Sequence, residues 1–384
     1  MERPWHRRWP EGVPKAIEYP DIPVDQLLRR AAREHGDRPA IRFYGSQITY
    51  RAFDEAADRF ASGLRRIGVK PGDRVSVVLP NTPHFPIAFF GVLRAGAIVV
   101  QTNPLYTARE LEQLWSDSGA ETAITMDIFW HSVSQAKAAS RLKRVVVADA
   151  AEYLRTPLRQ LYPIKRRRDL KKLRHWPLAI PDEPWVHRFP DLLATPPEPG
   201  ATPPVRPAED VAVFQYTGGT TGTPKGAMLT HRNLVANALQ TAAWLPVKGP
   251  DQERFLGAIP LFHVYGLTTV MLSPIALGAE VILHPNPREI GAILILINKT
   301  KPTIFPGVPT MYIAIIRHPK VSKYDLRSIR ACISGSAPLP NEVRREFEAV
   351  TGGKLVEGYG LTEASPVTHA NPLFGTIKEG IGLP

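Results

Sequence analysis

Apolar positions along this chain recur first with a helical period and then in short unbroken runs. Between residues 50 and 67, Phe53, Ala56, Ala57, Phe60, Leu64 and Ile67 fall on one helical face. Pro71-Gly72-Asp73 marks a turn, and RVSVVL at 74–79 predicts a strand. A helix is expected over 84–93 and a second strand over 97–101. Thr107 and Glu110 have capping-box spacing and predict a helix running through Leu114. Residues 144–147 predict a further strand.

From Val211 onward strands and helices alternate. Strands are predicted at 211–216, 254–258, 280–283, 303–306, 329–333 and 354–357. Helices are predicted near 231–243, 264–277, 287–299, 308–317 and 340–350. Such alternation implies an α/β fold built on mostly parallel, helix-covered sheets, with ligands beyond the carboxyl ends of the strands. Residues 194–207 contain six prolines and read as a stiff linker. They divide the chain into two α/β subdomains, 1–200 and 201–384.

Composition narrows the class. With 43% hydrophobic and 22% charged residues, the 384-residue chain has the make-up of an ordinary globular protein. Its one cysteine, Cys332, excludes an intramolecular disulfide. The opening MERPWHRRWPEG lacks the apolar region of a secretory signal, and the longest apolar run, 290–297, is too short to span a membrane. The expected location is cytoplasmic. A net charge of +12 favours anionic partners: nucleotides, coenzyme A, anionic lipid or nucleic acid. No nucleic-acid module is present, so nucleic acid is not an expected partner.

The segment 165–176 carries seven Lys/Arg against one Asp, with Leu170, Leu173 and Trp176 on one face of a short helix. It fits either peripheral contact with the inner face of a membrane or a solvated surface insertion.

Four segments carry candidate chemistry. YTGGTTGTPKG, residues 216–226, follows the strand VAVFQY. Closely spaced glycines let backbone N–H groups turn inward, threonines add hydroxyls and Lys225 adds a cation, a set suited to polyphosphate. It is not a Walker loop: Gly226 follows the lysine and no helix opens there. Ala227-Met228-Leu229 comes first and Thr230 caps the next helix, giving strand–loop–strand. PLFHVYG at 260–266 places His263 among aromatics, and such a histidine on its own reads as a core or capping residue. SGSAPL at 334–339 and EGYGLTE at 357–363 each follow or end a strand, with small residues that let a flat ring approach the backbone.

YTGGTTGTPKG resembles the phosphate-binding signature of the adenylate-forming superfamily, which includes acyl-CoA synthetases, luciferases and the adenylation domains of peptide synthetases. PLFHVYG, SGSAPL and EGYGLTE follow in the family's order, and the similarity covers roughly residues 25–384. The wording PLFHVYGLTTVMLSPIALGA and the basic insertion most resemble bacterial long-chain fatty acid–CoA ligases; aryl and medium-chain ligases stay open, as does a non-catalytic nucleotide- or acyl-binding role. The resemblance implies a layered αβαβα large domain whose third, β-barrel subdomain is incomplete here, with the small C-terminal domain absent.

The same resemblance implies ATP and coenzyme A as co-substrates, Mg²⁺ as cofactor and a fatty acid as substrate. The acid's carboxylate attacks the α-phosphorus, Mg-pyrophosphate leaves, and a thiol then displaces AMP. Thr217, Gly218, Gly219, Thr220, Thr221, Gly222, Thr223 and Lys225 are implied to hold the phosphates. Gly335, Ser336, Ala337, Glu357, Gly358, Tyr359, Gly360 and Thr362 are implied to contact the nucleotide. His263 positions the acid, Glu363 with Thr217 holds the metal, and Lys225, Thr217, His263 and Glu363 form the catalytic group. Further expected partners are the missing C-terminal domain supplied in trans and a second copy of the chain as a homodimer. Apolar stretches at 264–277 and 304–312 are candidates for an acyl tunnel, with a plain sheet–helix core as the alternative.

Overall fold

The apolar face at 50–67 becomes the helix Tyr50–Arg66, its N-terminus closed by the Thr49 hydroxyl accepting from the Ala52 N–H at 3.2 Å. The expected capping box at Thr107 forms in full: the Thr107 side chain accepts from the Glu110 backbone while the Glu110 carboxylate accepts from the Thr107 N–H at 2.7 Å. The helix it opens runs over Ala108–Ser118. These and all later statements concern the residues that the computed structural model describes: 3–172, 175–198, 200, 202–217, 224–245, 253–373 and 380–384.

The first strands are β1 (Pro39–Phe43), β2 (Ser46–Thr49), β3 (Arg74–Val78), β4 (Ile98–Gln101), β5 (Thr122–Met126), β6 (Arg144–Ala148) and β7 (Val186–Arg188). The later ones are β8 (Val211–Thr217), β9 (Lys225–Thr230), β10 (Arg254–Gly257), β11 (Glu280–Leu283), β12 (Ala331–Ser334), β13 (Lys354–Gly360) and β14 (Val367–Ala370). One sheet has the order β7-β6-β5-β3-β4-β8-β9, parallel except for the edge strand β9. A second has the order β10-β11-β1-β2, and β12-β13-β14 form a third. Single bridges at Ile304, to Phe255 on one side and Ala331 on the other, join the last two.

Helix Tyr50–Arg66 and the wholly buried helix His84–Arg94 lie in the apolar core between the sheets. Ala108–Ser118 and Trp130–Ala138 cover the outer face of the seven-stranded sheet. Ile290–Thr300, Pro309–Ile316 and Asn341–Thr351 pack beside the strands of the other. The result is the expected α/β layering.

Three expectations need correction. The sheets do not divide the chain at residue 200. Strands β8 and β9 complete the sheet built by the preceding half, and β1 pairs in parallel with β11, as in Ile41 with Val281. Pairing satisfies edge N–H and C=O groups wherever a partner lies, so chain order and sheet membership need not coincide. The expected strand 303–306 forms only isolated bridges, because Pro302 and Pro306 have no N–H to give to a ladder. The basic helix is Leu158–Lys172 rather than 165–176; Leu170 on it is fully buried while Trp176 is 43% exposed, so they do not share a face. Leu173 lies outside the described residues.

Buried charges anchor that helix. Arg166 donates to Asp127 at 2.9 Å and to Asp149 at 2.8 Å. Burial, and then the Asp149 carboxylate, push Asp127 up to about 7 against the pull of Arg166. The folded pKa exceeds the unfolded value of about 3.9, so folding takes up a proton between the two and this group's contribution to stability declines as pH rises from about 4 to about 7. Urea midpoints measured across that window are expected to fall more in wild type than in Asp127→Asn. Parallel profiles would show that Asp127 titrates normally.

Candidate functional site

Strands β3, β8 and β10 end toward one rim, and side chains from the first two hold the segment after the third. Asn81, buried just beyond β3, donates through Nδ2 to the Gly257 and Ile259 carbonyls at 2.9 and 2.7 Å, and its Oδ1 accepts from the Leu261 N–H at 2.8 Å. Gln215 on β8 donates to the Phe262 carbonyl at 3.3 Å, and Gln101 on β4 to that of Leu261 at 3.4 Å. The 257–262 backbone is thereby laid across the top of the seven-stranded sheet. These three amides escaped the reading of the sequence. Their signal was weak: polar side chains at or just past the ends of apolar strands.

His263 follows this clamped segment and caps the next helical stretch, where its Nδ1 accepts from the Tyr265 N–H at 3.5 Å. That contact places the ring proton on Nε2. Crowding protein lowers the His263 pKa below its ordinary value, so the ring is neutral at pH 7. Gly266 is required next: a Cβ there would lie 2.1 Å from the Pro260 carbonyl oxygen. From Leu267 to Leu272 the helix widens to π geometry, a local form common at functional sites. The Thr268 hydroxyl in it donates to the Ser365 carbonyl at 2.7 Å and so holds the turn after β13.

The SGSAPL turn leaves β12 at Ser334, and Ser336 adopts a left-handed φ of 69°. Tyr265 and Tyr312 pin the strand just before it, both donating to the Ile333 carbonyl, at 2.7 and 3.2 Å. Gly335 leaves room for Tyr265, whose ring would lie 3.0 Å from an added Cβ. Burial raises the pKa of the Tyr265 hydroxyl, which therefore stays a donor.

Strand β13 runs beside β12, with Ser334 in register with Glu357, so SGSAPL and EGYGLTE emerge side by side. Gly360 makes the close return to β14: an added Cβ would come within 2.2 Å of the Pro366 oxygen. Tyr359 is 47% exposed, its ring 6.3 Å from that of His369.

These turns border one side of a cavity of about 960 Å³, contributing His263, Tyr265, Gly335, Ser336, Gly358, Tyr359, Gly360 and Thr362, while residues between Arg3 and Tyr19 and the end of helix His231–Trp244 line much of the rest. Ala337, Glu357 and Glu363 are not in its wall. Thr362–Ala364 packs against β9, the strand that begins at Lys225. Across the β8–β9 hairpin Thr217 pairs with Lys225, and its hydroxyl donates to the Lys225 carbonyl at 3.4 Å. Lys225 and Glu363 are both exposed. Gly218, Gly219, Thr220, Thr221, Gly222 and Thr223, the body of the expected phosphate loop, lie outside the described residues.

A second cavity, of about 450 Å³, shares His263, Tyr265 and Ser336 with the first. Ile259, Phe262, Ile290, Val308, Met311 and Ala314 give it largely apolar walls, Arg288 adds one cation, and among the described residues no acidic side chain lines it. Of the two stretches expected to form an acyl tunnel, 304–312 contributes Val308, Thr310 and Met311; 264–277 contributes only Tyr265 and Gly266, its other residues lying elsewhere, many in the sheet–helix core.

Residues 28–384 match the AMP-binding enzyme family. The chain is 43% identical over 387 residues to a long-chain-fatty-acid–CoA ligase of Bacillus subtilis (strain 168), covering 100% of this chain and 68% of that protein. Among solved structures, a long-chain-fatty-acid-CoA ligase from Archaeoglobus fulgidus superposes with a TM-score of 0.78 at 25% identity, over 95% of this chain and 69% of that one. An anthranilate CoA ligase in complex with anthranoyl-AMP shares the fold, with a TM-score of 0.79 at 24% identity over 95% of this chain and 64% of the other. The chain thus spans about two thirds of the length of each.

Proposed function

The chain belongs to the AMP-binding enzyme family, and from that premise we propose that it is the nucleotide- and acyl-binding portion of a ligase that activates a long-chain fatty acid as acyl-AMP for transfer to coenzyme A. One observation carries the reading: a cavity bordered by the SGSAPL and EGYGLTE turns meets a largely apolar cavity at His263, Tyr265 and Ser336. In this proposal the adenylate occupies the first and the acyl chain the second. Their shared wall is where a carboxylate and an α-phosphate would meet.

Binding and orientation are the chain's main contribution. Gly335, Ser336 and Gly358 put small residues on the wall of the first cavity, and Tyr359 offers its exposed ring as a stacking face for adenine. Neutral His263, with its proton on Nε2, can donate a hydrogen bond to the ionised carboxylate of the acid. Lys225, Thr217 and Thr362 are assigned to the phosphates, with Gly218, Gly219, Thr220, Thr221, Gly222 and Thr223 completing the loop.

The exposed Glu363 carboxylate and the Thr217 hydroxyl are hard oxygen donors of the kind Mg²⁺ accepts beside phosphate and water, and no cluster of three His, Cys, Asp or Glu among the described residues offers a closed protein cage instead. Glu363 and Thr217 would hold such an ion, which would supply charge neutralisation for the departing pyrophosphate.

With Arg288 and no acid among the described residues lining it, the second cavity argues against an amino-acid substrate, whose ammonium would need a counter-charge. Titration calorimetry with a series of non-hydrolysable acyl-adenylate mimics tests the assignment. Affinity is expected to rise as the acyl chain lengthens, by up to about fourfold per buried methylene. Binding of aminoacyl or aryl mimics alone would overturn it. Pyrophosphate release screened over fatty, aryl and amino acids gives the matching activity test.

A further inference from the structure

The Leu158–Lys172 helix takes no part in the site above, and its two sides differ sharply. On the inner side Leu170 is fully buried and Arg166 is locked between Asp127 and Asp149. Residues four apart share a helix face, so this pair fixes which side meets the body of the protein. At 100° per residue, the opposite side presents Leu161, Ile164, Arg168 and Lys171. Leu161 is 54% and Ile164 71% exposed. Arg167, Arg168, Lys171 and Lys172 are all exposed as well, while the helix's one acid, Asp169, is paired with Lys165 at 3.1 Å. Just beyond, Trp176 is 43% exposed with the Arg167 guanidinium 5.4 Å from its ring centroid.

Two bare aliphatic side chains beside cations that have no ion-pair partner among the described residues match one kind of surface. In an anionic bilayer, Leu161 and Ile164 leave water for the acyl boundary. The long Lys and Arg side chains lie along the interface with their charges among the headgroups. Trp176 has the amphipathic ring favoured at that depth. Nucleic acid would engage the cations but gain nothing from the aliphatic pair. No helix among the described residues is long and apolar enough to cross a membrane, so such contact lies in the plane of the surface.

We propose that the outward face of Leu158–Lys172 docks this protein onto anionic lipid, with Leu161 and Ile164 embedded and Arg167, Arg168, Lys171 and Lys172 held at the headgroups. This stands independently of the ligase assignment, since none of these residues lines either cavity.

Flotation of the full chain with vesicles of phosphatidylcholine, with and without phosphatidylglycerol, provides the test. Wild type is expected to float only with the phosphatidylglycerol vesicles. Arg168→Gln with Lys171→Gln should weaken partition by about fivefold per charge. Leu161→Ser with Ile164→Ser, which leaves the charge intact, should weaken it by about tenfold or more. All four side chains are exposed, so unchanged urea midpoints are expected to show that the variants fold. Equal flotation with both vesicle types, or none, would overturn the proposal. So would lipid binding indifferent to the serine pair, or duplex DNA binding that keeps full strength in the serine variant while vesicle binding is absent.

Discussion

Asn81→Leu is expected to destabilise the protein by about 3 kcal/mol and to weaken binding of an acyl-adenylate mimic at the same time. Leucine has nearly the same shape, so little packing is lost. What disappears is one acceptor and two donated hydrogen bonds, to Leu261, Gly257 and Ile259, all in a buried position. Each backbone group left without a partner costs about 1–3 kcal/mol, offset in part by relaxation. The segment released is the one that delivers His263 to the junction of the two cavities. Urea unfolding followed by calorimetry on the folded variant separates the effects. If the midpoint falls but affinity holds, Asn81 supports the fold without positioning the site. If neither moves, the clamp is unimportant.

Lys225→Ala should show the opposite profile. The side chain is exposed at the start of an edge strand, so stability is expected to change by no more than about 0.5 kcal/mol. Affinity for ATP should fall by roughly tenfold or more, since a charged hydrogen bond is worth about 1.5–3 kcal/mol. Lys225→Arg keeps the charge but not the compact ammonium and should recover part of the loss. ATP affinity unchanged in Lys225→Ala would remove this lysine from the phosphate site.

Local elements were largely legible from the chain. Tyr50–Arg66 followed from its apolar face, and Ala108–Ser118 from the Thr107–Glu110 box, because capping and helical period depend on residues a few positions apart. The strand–loop–strand form around Lys225 also followed, as β8 and β9. Other segments carried little local signal. The β1–β2 hairpin and the buried strand β5 went unread; in TAITM every side chain is buried, and so short an apolar run has no period to detect. At 303–306 the apolar residues suggested a strand, but the flanking prolines left only single bridges.

The sequence alone determined the α/β class, the family signatures, the cationic segment and the residue types gathered at the candidate site. All of these depend on neighbours in the chain. Tertiary structure decided which strands share a sheet, that the segment leading to His263 is held at Leu261 by Asn81, 180 residues earlier and just beyond β3, and that Leu170 and Arg166 turn inward while Ile164 faces out. It also decided that the SGSAPL and EGYGLTE turns and His263 border one cavity. Such arrangements depend on long-range pairing and on the satisfaction of buried polar groups, and chain periodicity encodes neither.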